Sequence, residues 1–242
     1  MTSLLTDFNI YQNLYQTYKQ TGCIDFKDFS NINPTTLLPL ILNCFSDSNF
    51  DSNVKKDIKQ YIKNQSLEEK ILFEKIDSSY DFRHATLEHK YSNFIENIND
   101  KNTFYYFFAE MLSNIKDHSK FNNAYLLAKK QEDNIIDLSF SDDGITLPFT
   151  LQQHKEDNLT IYDATKGLSS KKEEGRGFGL PSTIKIISSM IQGELIIASR
   201  NAIYYKTYQN ELSDNLNSSL VNGTLVSMRF DCTKLPNIYS II

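Results

Sequence analysis

The spacing of glycine constrains this chain more than any other feature of its sequence. Of its eight glycines, only one precedes residue 144, and three fall within five residues, at Gly175, Gly177 and Gly179. Glycine at alternate positions lets successive backbone N–H groups approach a ligand with no Cβ atom in the way. The residues that follow, "LPSTIKIISSMIQG", have the apolar spacing, early proline and closing glycine of a helix. The run therefore predicts either a flexible hinge or an anion-binding loop at the start of a helix.

Other glycine-rich phosphate loops do not fit this run. A dinucleotide-binding fingerprint needs a buried strand directly before its glycines, but the charged stretch "KGLSSKKEE" stands there. The sequence contains no G-x-x-x-x-G-K-S/T loop, and it lacks the elements of eukaryotic-type kinases. The remaining interpretation is that this run binds an anion. The helix that begins near Leu180 would offer its unpaired N–H groups, and Lys171 and Arg176 would add positive charge. That combination suits a polyphosphate.

A predicted helix in "TFYYFFAEMLSNIKDHSK" carries Glu110, Asn114 and Asp117 within a narrow arc of one face. One interpretation is an ordinary solvated stripe opposite an apolar face. The other interpretation assigns chemistry to each residue. An amide oxygen can complete the shell of a Mg²⁺ ion that already holds phosphate oxygens, and a carboxylate one turn earlier can deprotonate a water or a hydroxyl. His118 follows, as a surface residue or a neighbour of phosphate.

The segment "NAYLLAKKQEDNIIDLSFSDDG" predicts a β-hairpin whose second strand ends in Asp142, Asp143 and Gly144. A strand that ends in this way usually turns there. Alternatively, Asp142 accepts a hydrogen bond from an exocyclic amine such as that of adenine, and Gly144 leaves room for a flat ring close to the backbone.

Four ordered motifs together resemble the ATP-binding domain of the superfamily of gyrase, heat-shock chaperones, histidine kinases and MutL. "AEMLSNIKDHS" is similar to its N box, "DDGI" to its first glycine box and "EEGRGFGLPSTIKII" to its second, while "GTLVSMRF" resembles its late strand. The resemblance covers roughly residues 100–232. Small stand-alone members, in which a Ser/Thr-Lys pair precedes the glycines, are especially similar.

This resemblance implies ATP and Mg²⁺ as cofactors. It implies Glu110 as general base and Asn114 as Mg²⁺ ligand, with Asp142 on the adenine amine, Gly144 beneath the ring and Thr224 nearby. The implied phosphate contacts come from the lid and the glycine run: Lys171, Gly175, Arg176, Gly177, Phe178, Gly179 and Leu180.

The resemblance also implies an α+β fold of the Bergerat type, in which a helical layer covers a mixed, mostly antiparallel sheet. The polar residues 145–174 would form a lid over the nucleotide, because a loop of that length is uncommon in a compact domain unless it is functional or disordered. The ATP-binding domain is placed at residues 86–242. Residues 1–85 are predicted to form a mainly helical N-terminal region with a role in partner docking left open.

Local signals inside these two regions predict individual elements. Asn33 and Pro34 predict a helix start, and apolar residues between Val54 and Leu72 predict one or two amphipathic helices. "CIDFKDF" alternates loosely as a strand does. Further strands are predicted at "GELIIASRNAIYYKTY" and "GTLVSMRFD", separated by a polar insertion around residues 209–222.

Two positions depart from the family pattern. The usual first glycine box reads D-x-G-x-G, and Thr146 stands at its second glycine. Many sensor kinases carry Lys or Arg at the third position after the N-box Asn, where this chain has Asp117. We expect Asp117 either to reduce phosphate affinity or to pair with a lysine of the lid.

The first functional hypothesis is a Mg²⁺-dependent ATP-binding protein that hydrolyses ATP slowly and acts as a nucleotide-controlled switch. The alternatives are a serine protein kinase of the anti-sigma-factor type that acts on a separate partner, and a non-catalytic nucleotide-binding interaction module. Autophosphorylation is disfavoured, because His84 and His89 lack the sequence expected around a phospho-accepting histidine.

Composition argues against several other classes of protein. The net charge is −5 and no Lys/Arg block stands apart from acidic residues, which disfavours nucleic acid as a partner. No stretch approaches the roughly 20 apolar residues of a membrane span, and no signal peptide is evident. Three cysteines without a C-x-x-C pair predict free thiols. We therefore expect a cytoplasmic protein with a protein partner of unknown identity, and a homodimer stays open.

Overall fold

The fold is given by a computed structural model, which describes residues 2–24, 32–47, 50–67, 71–77, 79–80, 86, 94, 96, 98–151, 156–168, 179–217 and 221–240. Within these residues the structure is α+β, as expected from the sequence. The helices are α1 (Leu4–Thr21), α2 (Pro34–Ser46), α3 (Ser52–Leu67), α4 (Lys101–Asn114), α5 (Leu147–Leu151), α6 (Asp157–Thr165) and α7 (Gly179–Ile184). The strands are β1 (Ile71–Ile76), β2 (Ala124–Lys130), β3 (Ile135–Asp142), β4 (Glu194–Arg200), β5 (Ala202–Lys206), β6 (Glu211–Asn215) and β7 (Val221–Asp231).

All seven strands form one sheet, in the order β1-β2-β3-β7-β4-β5-β6. Every described pairing between neighbours is antiparallel, so the expectation of a mixed sheet was wrong. Antiparallel neighbours need only hairpins or short connections, and the predicted β2–β3 hairpin is confirmed.

Helices cover both faces of this sheet. On one face, α4, α6 and α7 share a hydrophobic core with alternate residues of β3, among them Leu138 and Phe140. On the opposite face, α1, α2 and α3 share a second core with residues such as Leu127 and Ile196. The side chains of a strand alternate between faces, so each central strand contributes to both cores.

Helix α2 packs against the central strands of the sheet. Almost all of α2 is buried, including Leu38 and Ile41. On the same face, the buried hydroxyls of Ser139 and Ser227, from neighbouring strands, form a hydrogen bond with each other at 2.7 Å.

The ends of the N-terminal helices follow local sequence signals in part. Helix α1 begins where Ser3 accepts a hydrogen bond from the Thr6 N–H, and it ends at Gly22, whose φ of 73° suits glycine. Helix α2 begins at Pro34 as predicted. Asn33 occupies the N-cap position, but its side-chain amide donates to Asp7 at 2.9 Å instead of capping α2.

Three sequence-based predictions of local structure were wrong. Ile71 and Leu72, predicted as helical, lie in the edge strand β1, whose two faces both carry apolar residues and so lack the alternation that identifies a strand. The predicted loop at residues 145–174 contains α5 and α6. The polar insertion at residues 209–222 contains the exposed edge strand β6. The strand expected at "CIDFKDF" lies largely outside the described residues.

Four neighbouring strands carry a row of alternating charges on the face that α1 and α2 cover. Lys129 in β2, Asp137 in β3, Arg229 in β7 and Glu194 in β4 are successive partners in the register, so their side chains share that face. The guanidinium of buried Arg229 donates to both carboxylate oxygens of Asp137, and at 2.7 Å to Asp7 of α1. Burial alone would lower the pKa of Arg229, but these hydrogen bonds and charges raise it. We call these four sheet residues the charge row.

The charge row holds the start of α1 against the sheet. Glu194 accepts the N–H of Leu4 at 2.8 Å, which places a carboxylate at the N-terminus of a helix. Arg229 donates to the carbonyl oxygen of Thr2, just before that helix. Charged groups from three strands and the first helix therefore depend on one another's position.

Within the described ranges, no helix has both the length and the apolar content that a membrane crossing requires. No disulfide bond joins Cys23, Cys44 and Cys232, in agreement with the prediction from their spacing.

Replacing Arg229 by methionine should destabilise the protein strongly. Asp7 and Asp137 would remain buried without their shared cation, and breaking a buried ion pair in this way costs about 3–5 kcal/mol. Urea unfolding measures the loss. The matched control is Lys234→Met, which removes an exposed pair with Asp231 at 3.2 Å and should cost about 0.5 kcal/mol or less. Equal losses in the two variants would show that the charge row is not a structural anchor.

Candidate functional site

A short polar row lies at one end of the sheet, on the face that α4 and α7 cover. Asp142 ends β3 and is only 4% exposed. Its register partner is Thr224 of β7, and the partner of Thr224 is Ser199 of β4, with the two hydroxyl oxygens 3.1 Å apart. The register therefore brings Asp142 and Thr224 together, and their contact with adenine stays a prediction. Ser199, which no local sequence signal identified, joins them.

The two adjacent aspartates differ in their electrostatics. Burial raises the pKa of Asp142 to about 7, although hydrogen bonds from the Gly144 N–H and from Ser119 oppose the shift. Burial would also raise the pKa of Asp143, but hydrogen bonds from Asn123 and others outweigh it and lower that pKa. Near neutral pH, Asp142 therefore takes up and releases a proton while Asp143 stays ionised.

Two glycines allow the backbone to approach closely around Asp142. A Cβ atom on Gly144 would lie 2.0 Å from the carbonyl oxygen of Ser119. A Cβ atom on Gly223 would lie 1.8 Å from the carbonyl oxygen of Asp142, and the φ of Gly223 is +90°. Any side chain at either position would displace the loop that holds Asp142. The predicted place of Gly144 beneath a bound ring stays a prediction.

A π-helical turn at Ile115–Ser119 joins the end of α4 to this loop. The carbonyl oxygen of Ser119, its last residue, accepts the N–H of Ile145, and its hydroxyl lies within hydrogen-bonding reach of Asp142. A π turn has more residues than an α turn. Asp117 therefore does not follow the α-helical spacing that would place it on the same face as Glu110 and Asn114. The Asp117 carboxylate instead accepts a hydrogen bond from Ser113 at 3.2 Å.

Helix α4 also contacts the start of α7. The half-buried Glu110 lies so close to Gly179 that a Cβ atom there would be 1.7 Å from Oε2 of Glu110. One turn earlier, the hydroxyl of Tyr106 is hydrogen-bonded to Ser182 of α7. Burial, and to a smaller extent the negative charge of Glu110, raise the pKa of Tyr106. A side chain at position 179 would therefore displace the Glu110 carboxylate, which is the end of a flexible side chain.

The remaining predicted residues fall into two groups. Asn114 is exposed, one turn after Glu110 on α4, and Leu180 packs at the edge of the core beneath α7. The other members of the predicted phosphate loop lie outside the described residues: Lys171, Gly175, Arg176, Gly177 and Phe178.

In the part of the chain that the structure describes, no group of three or more His, Cys, Asp or Glu side chains is placed to hold a metal ion. A magnesium ion at Asn114 would therefore take most of its oxygen ligands from a nucleotide and from water, as Mg²⁺ commonly does. The donor chemistry at Asn114 fits that arrangement.

Comparison with known proteins adds no family to these observations. Neither the models of known protein families nor the curated protein sequences contain a match to this chain. The resemblance of its motifs to an ATP-binding superfamily is therefore judged on the residues and their geometry.

The Asp142→Asn variant should be more stable than the unaltered protein near neutral pH. A carboxyl group whose pKa rises from 3.8 to about 7 on folding stabilises the folded state at acid pH, and this contribution is lost as the pH rises toward about 7. An amide does not ionise, so the unfolding free energy at about pH 8 should rise by up to about 4 kcal/mol. Urea unfolding at several pH values measures it.

Asp143→Asn is the matched control and should change stability in the opposite direction. The lowered pKa of Asp143 means that its stabilisation is present above its ordinary pKa and is lost as the pH falls through the lowered value. The variant should therefore lose about 1–2 kcal/mol near neutral pH, because charged hydrogen bonds are removed. A shift of the same sign in both variants contradicts the contrast between the two aspartates.

Proposed function

We propose that this protein binds MgATP through a Bergerat-type domain, hydrolyses it slowly and acts as a nucleotide-controlled switch on a protein partner. The contact between Glu110 and Gly179 carries the proposal, because it joins the helix that resembles an N box to the last glycine of the second glycine box. The polar row at Asp142 and Thr224 adds a place for adenine on the same face of the sheet.

The two ends of the proposed site lie along one helix. Ser119 contacts the Asp142 loop, and Glu110 lies nine residues earlier (119 − 110) along α4 and its π turn. Asn114 lies between the two ends, on the exposed surface of the helix.

The residues have distinct tasks in this proposal. Asp142 accepts a hydrogen bond from the adenine amine, and Asn114 offers its amide oxygen to Mg²⁺. When bound, the metal neutralises phosphate charge. Glu110 orients a water molecule and takes its proton as that water attacks the γ-phosphate. Arg176, in the glycine run, contributes positive charge toward the phosphates.

Contacts between α6 and the β5–β6 hairpin constrain how a switch operates. The N–H of Asn158 donates to the side chain of Asn215, and Lys166 pairs with Glu211 at 3.3 Å. The guanidinium of Arg200, at the end of β4, lies 3.3 Å from the carboxylate of Asp157. A nucleotide-driven movement of α6 must therefore break these contacts or carry the hairpin with it.

Glu110→Gln should abolish phosphate release while it retains ATP binding. The amide keeps the size of the side chain beside Gly179 but cannot accept a proton, and loss of a general base typically costs about 100-fold or more in rate. Phosphate release and calorimetric titration with MgATP measure the two properties. The matched control is Glu132→Gln, an exposed residue in the β2–β3 turn, which should leave both unchanged.

The same assay separates the alternatives. Transfer of label from ATP to a co-purified protein, without phosphate release, indicates the protein kinase. Binding of ATP with neither reaction indicates the interaction module. No binding of ATP by the unaltered protein contradicts the proposal as a whole.

The affinity for adenosine should fall as the pH decreases through about 7. The ionised carboxylate of Asp142 accepts a hydrogen bond more strongly than the protonated carboxyl group does. The pKa of Asp142 is about 7. Between about pH 8 and about pH 6 the ionised fraction falls about tenfold, and the affinity should follow. Adenosine is the probe because it has no phosphate that titrates in this range. A pH-independent affinity, or one that rises in acid, contradicts the assigned role, and Asp142→Asn should remove the dependence.

A further inference from the structure

The carboxylate of Asp143, next to Asp142, joins the end of β3 to two other parts of the chain, the loop before β2 and the end of α2. Its Oδ1 atom accepts the N–H groups of Asn122 and Asn123 at 2.9 and 2.7 Å. Its Oδ2 atom accepts the side-chain amide of Asn123 and the hydroxyl of Ser46, each at 2.9 Å. The N–H of Asp143 also donates to the carbonyl oxygen of Asn123. These bonds hold the residue after Asp142 against the loop that precedes β2.

Ser46 comes from the opposite side of the sheet. It is the last residue of α2, which belongs to the layer of N-terminal helices. The end of α2 is held in turn by α3, because Lys55 donates to the carbonyl oxygen of Asp47 at 2.9 Å. The position of the Ser46 hydroxyl therefore reports how α2 and α3 pack on the sheet.

We propose that Asp143 is a positioning residue for Asp142, and that Ser46 couples the N-terminal helical layer to the adenine end of the site. This inference rests on the proposed function of Asp142 as the residue that binds adenine. A partner that shifts α2 or α3 would change nucleotide affinity through this hydrogen bond.

The backbone around Asp142 makes such coupling effective. Gly223 packs against the carbonyl group of Asp142 from β7, and Ser119 packs against Gly144 from α4. Between these two contacts, the bonds of Asp143 determine where the chain leaves β3. Loss of the Ser46 bond frees one of the two Asp143 oxygens from α2 and leaves the other bound to the Asn122–Asn123 backbone.

The test compares two ligands that report on different ends of the site. Adenosine reports on Asp142, whereas inorganic tripolyphosphate with Mg²⁺ reports on the phosphate end. Calorimetric affinities are measured for the unaltered full chain, Ser46→Ala, Ser46→Thr and Ser240→Ala. Ser240 is the matched control, since it is also an exposed serine with one helix-end hydrogen bond, to Asn237 at 2.6 Å. Urea unfolding is recorded for every variant.

Ser46→Ala should weaken adenosine binding about fivefold, the effect of losing one hydrogen bond of ordinary strength. Tripolyphosphate affinity should not change, the urea midpoint should fall no further than in Asp143→Asn, Ser46→Thr should restore adenosine binding, and Ser240→Ala should leave the affinity for both ligands unchanged. Unchanged adenosine binding in Ser46→Ala overturns the coupling but leaves the proposed function standing. An equal loss for both ligands overturns it as well, because that loss indicates general structural damage. If the unaltered protein binds neither ligand, the proposed function fails first.

Discussion

The charge row from Lys129 through Asp137 and Arg229 to Glu194 is the interaction that anchors the N-terminal helical layer to the sheet. These groups are covered by the start of α1, which adds Asp7 as a further partner of the arginine. The net stabilisation from a buried ion pair is small, because desolvation offsets the attraction, but the loss of one partner is costly. Separating α1 from the sheet would therefore break the bonds of Arg229 to Asp7 and Thr2 and the bond of Leu4 to Glu194. Strand β1 connects the two predicted regions a second time. It belongs to residues 1–85 and pairs with β2, which belongs to residues 86–242.

Strand β3 carries the consequences of this arrangement to the candidate site. Its side chains alternate between faces, so Asp137 lies under α1 and α2 while Asp142 lies under α4. The first carboxylate is paired with an arginine. Burial raises the pKa of the second carboxylate, and the π turn that ends at Ser119 connects it to α4. One strand thus supplies an anchor on one face and a titrating acceptor on the other, and Asp143 connects the two layers through Ser46.

Prediction from sequence succeeded where a signal is local. The β2–β3 hairpin, the helix start at Pro34 and the helix that begins at Gly179 all have turn residues or caps beside a periodic apolar pattern. It failed for β1 and β6, because an edge strand that is apolar on both faces, or exposed, has no alternation to detect. The sequence indicated only a turn at Asp143, because its partners Asn123 and Ser46 lie far from it along the chain and Ser46 belongs to α2.

The sequence by itself determined the β2–β3 hairpin, the helices that begin at Pro34 and Gly179, and the chemical types of the candidate residues, because these depend on composition and on spacing within one segment. Only the tertiary structure decided that Glu110 lies against Gly179, that Ser199 joins the row of Asp142, and that the N-terminal helices cover the far face of the same sheet. Such contacts join residues that are tens to hundreds of positions apart, and the register of the strands and the packing of helices on both faces set their distances. The raised pKa of Asp142 belongs to the same class, since it comes from burial that no single segment encodes.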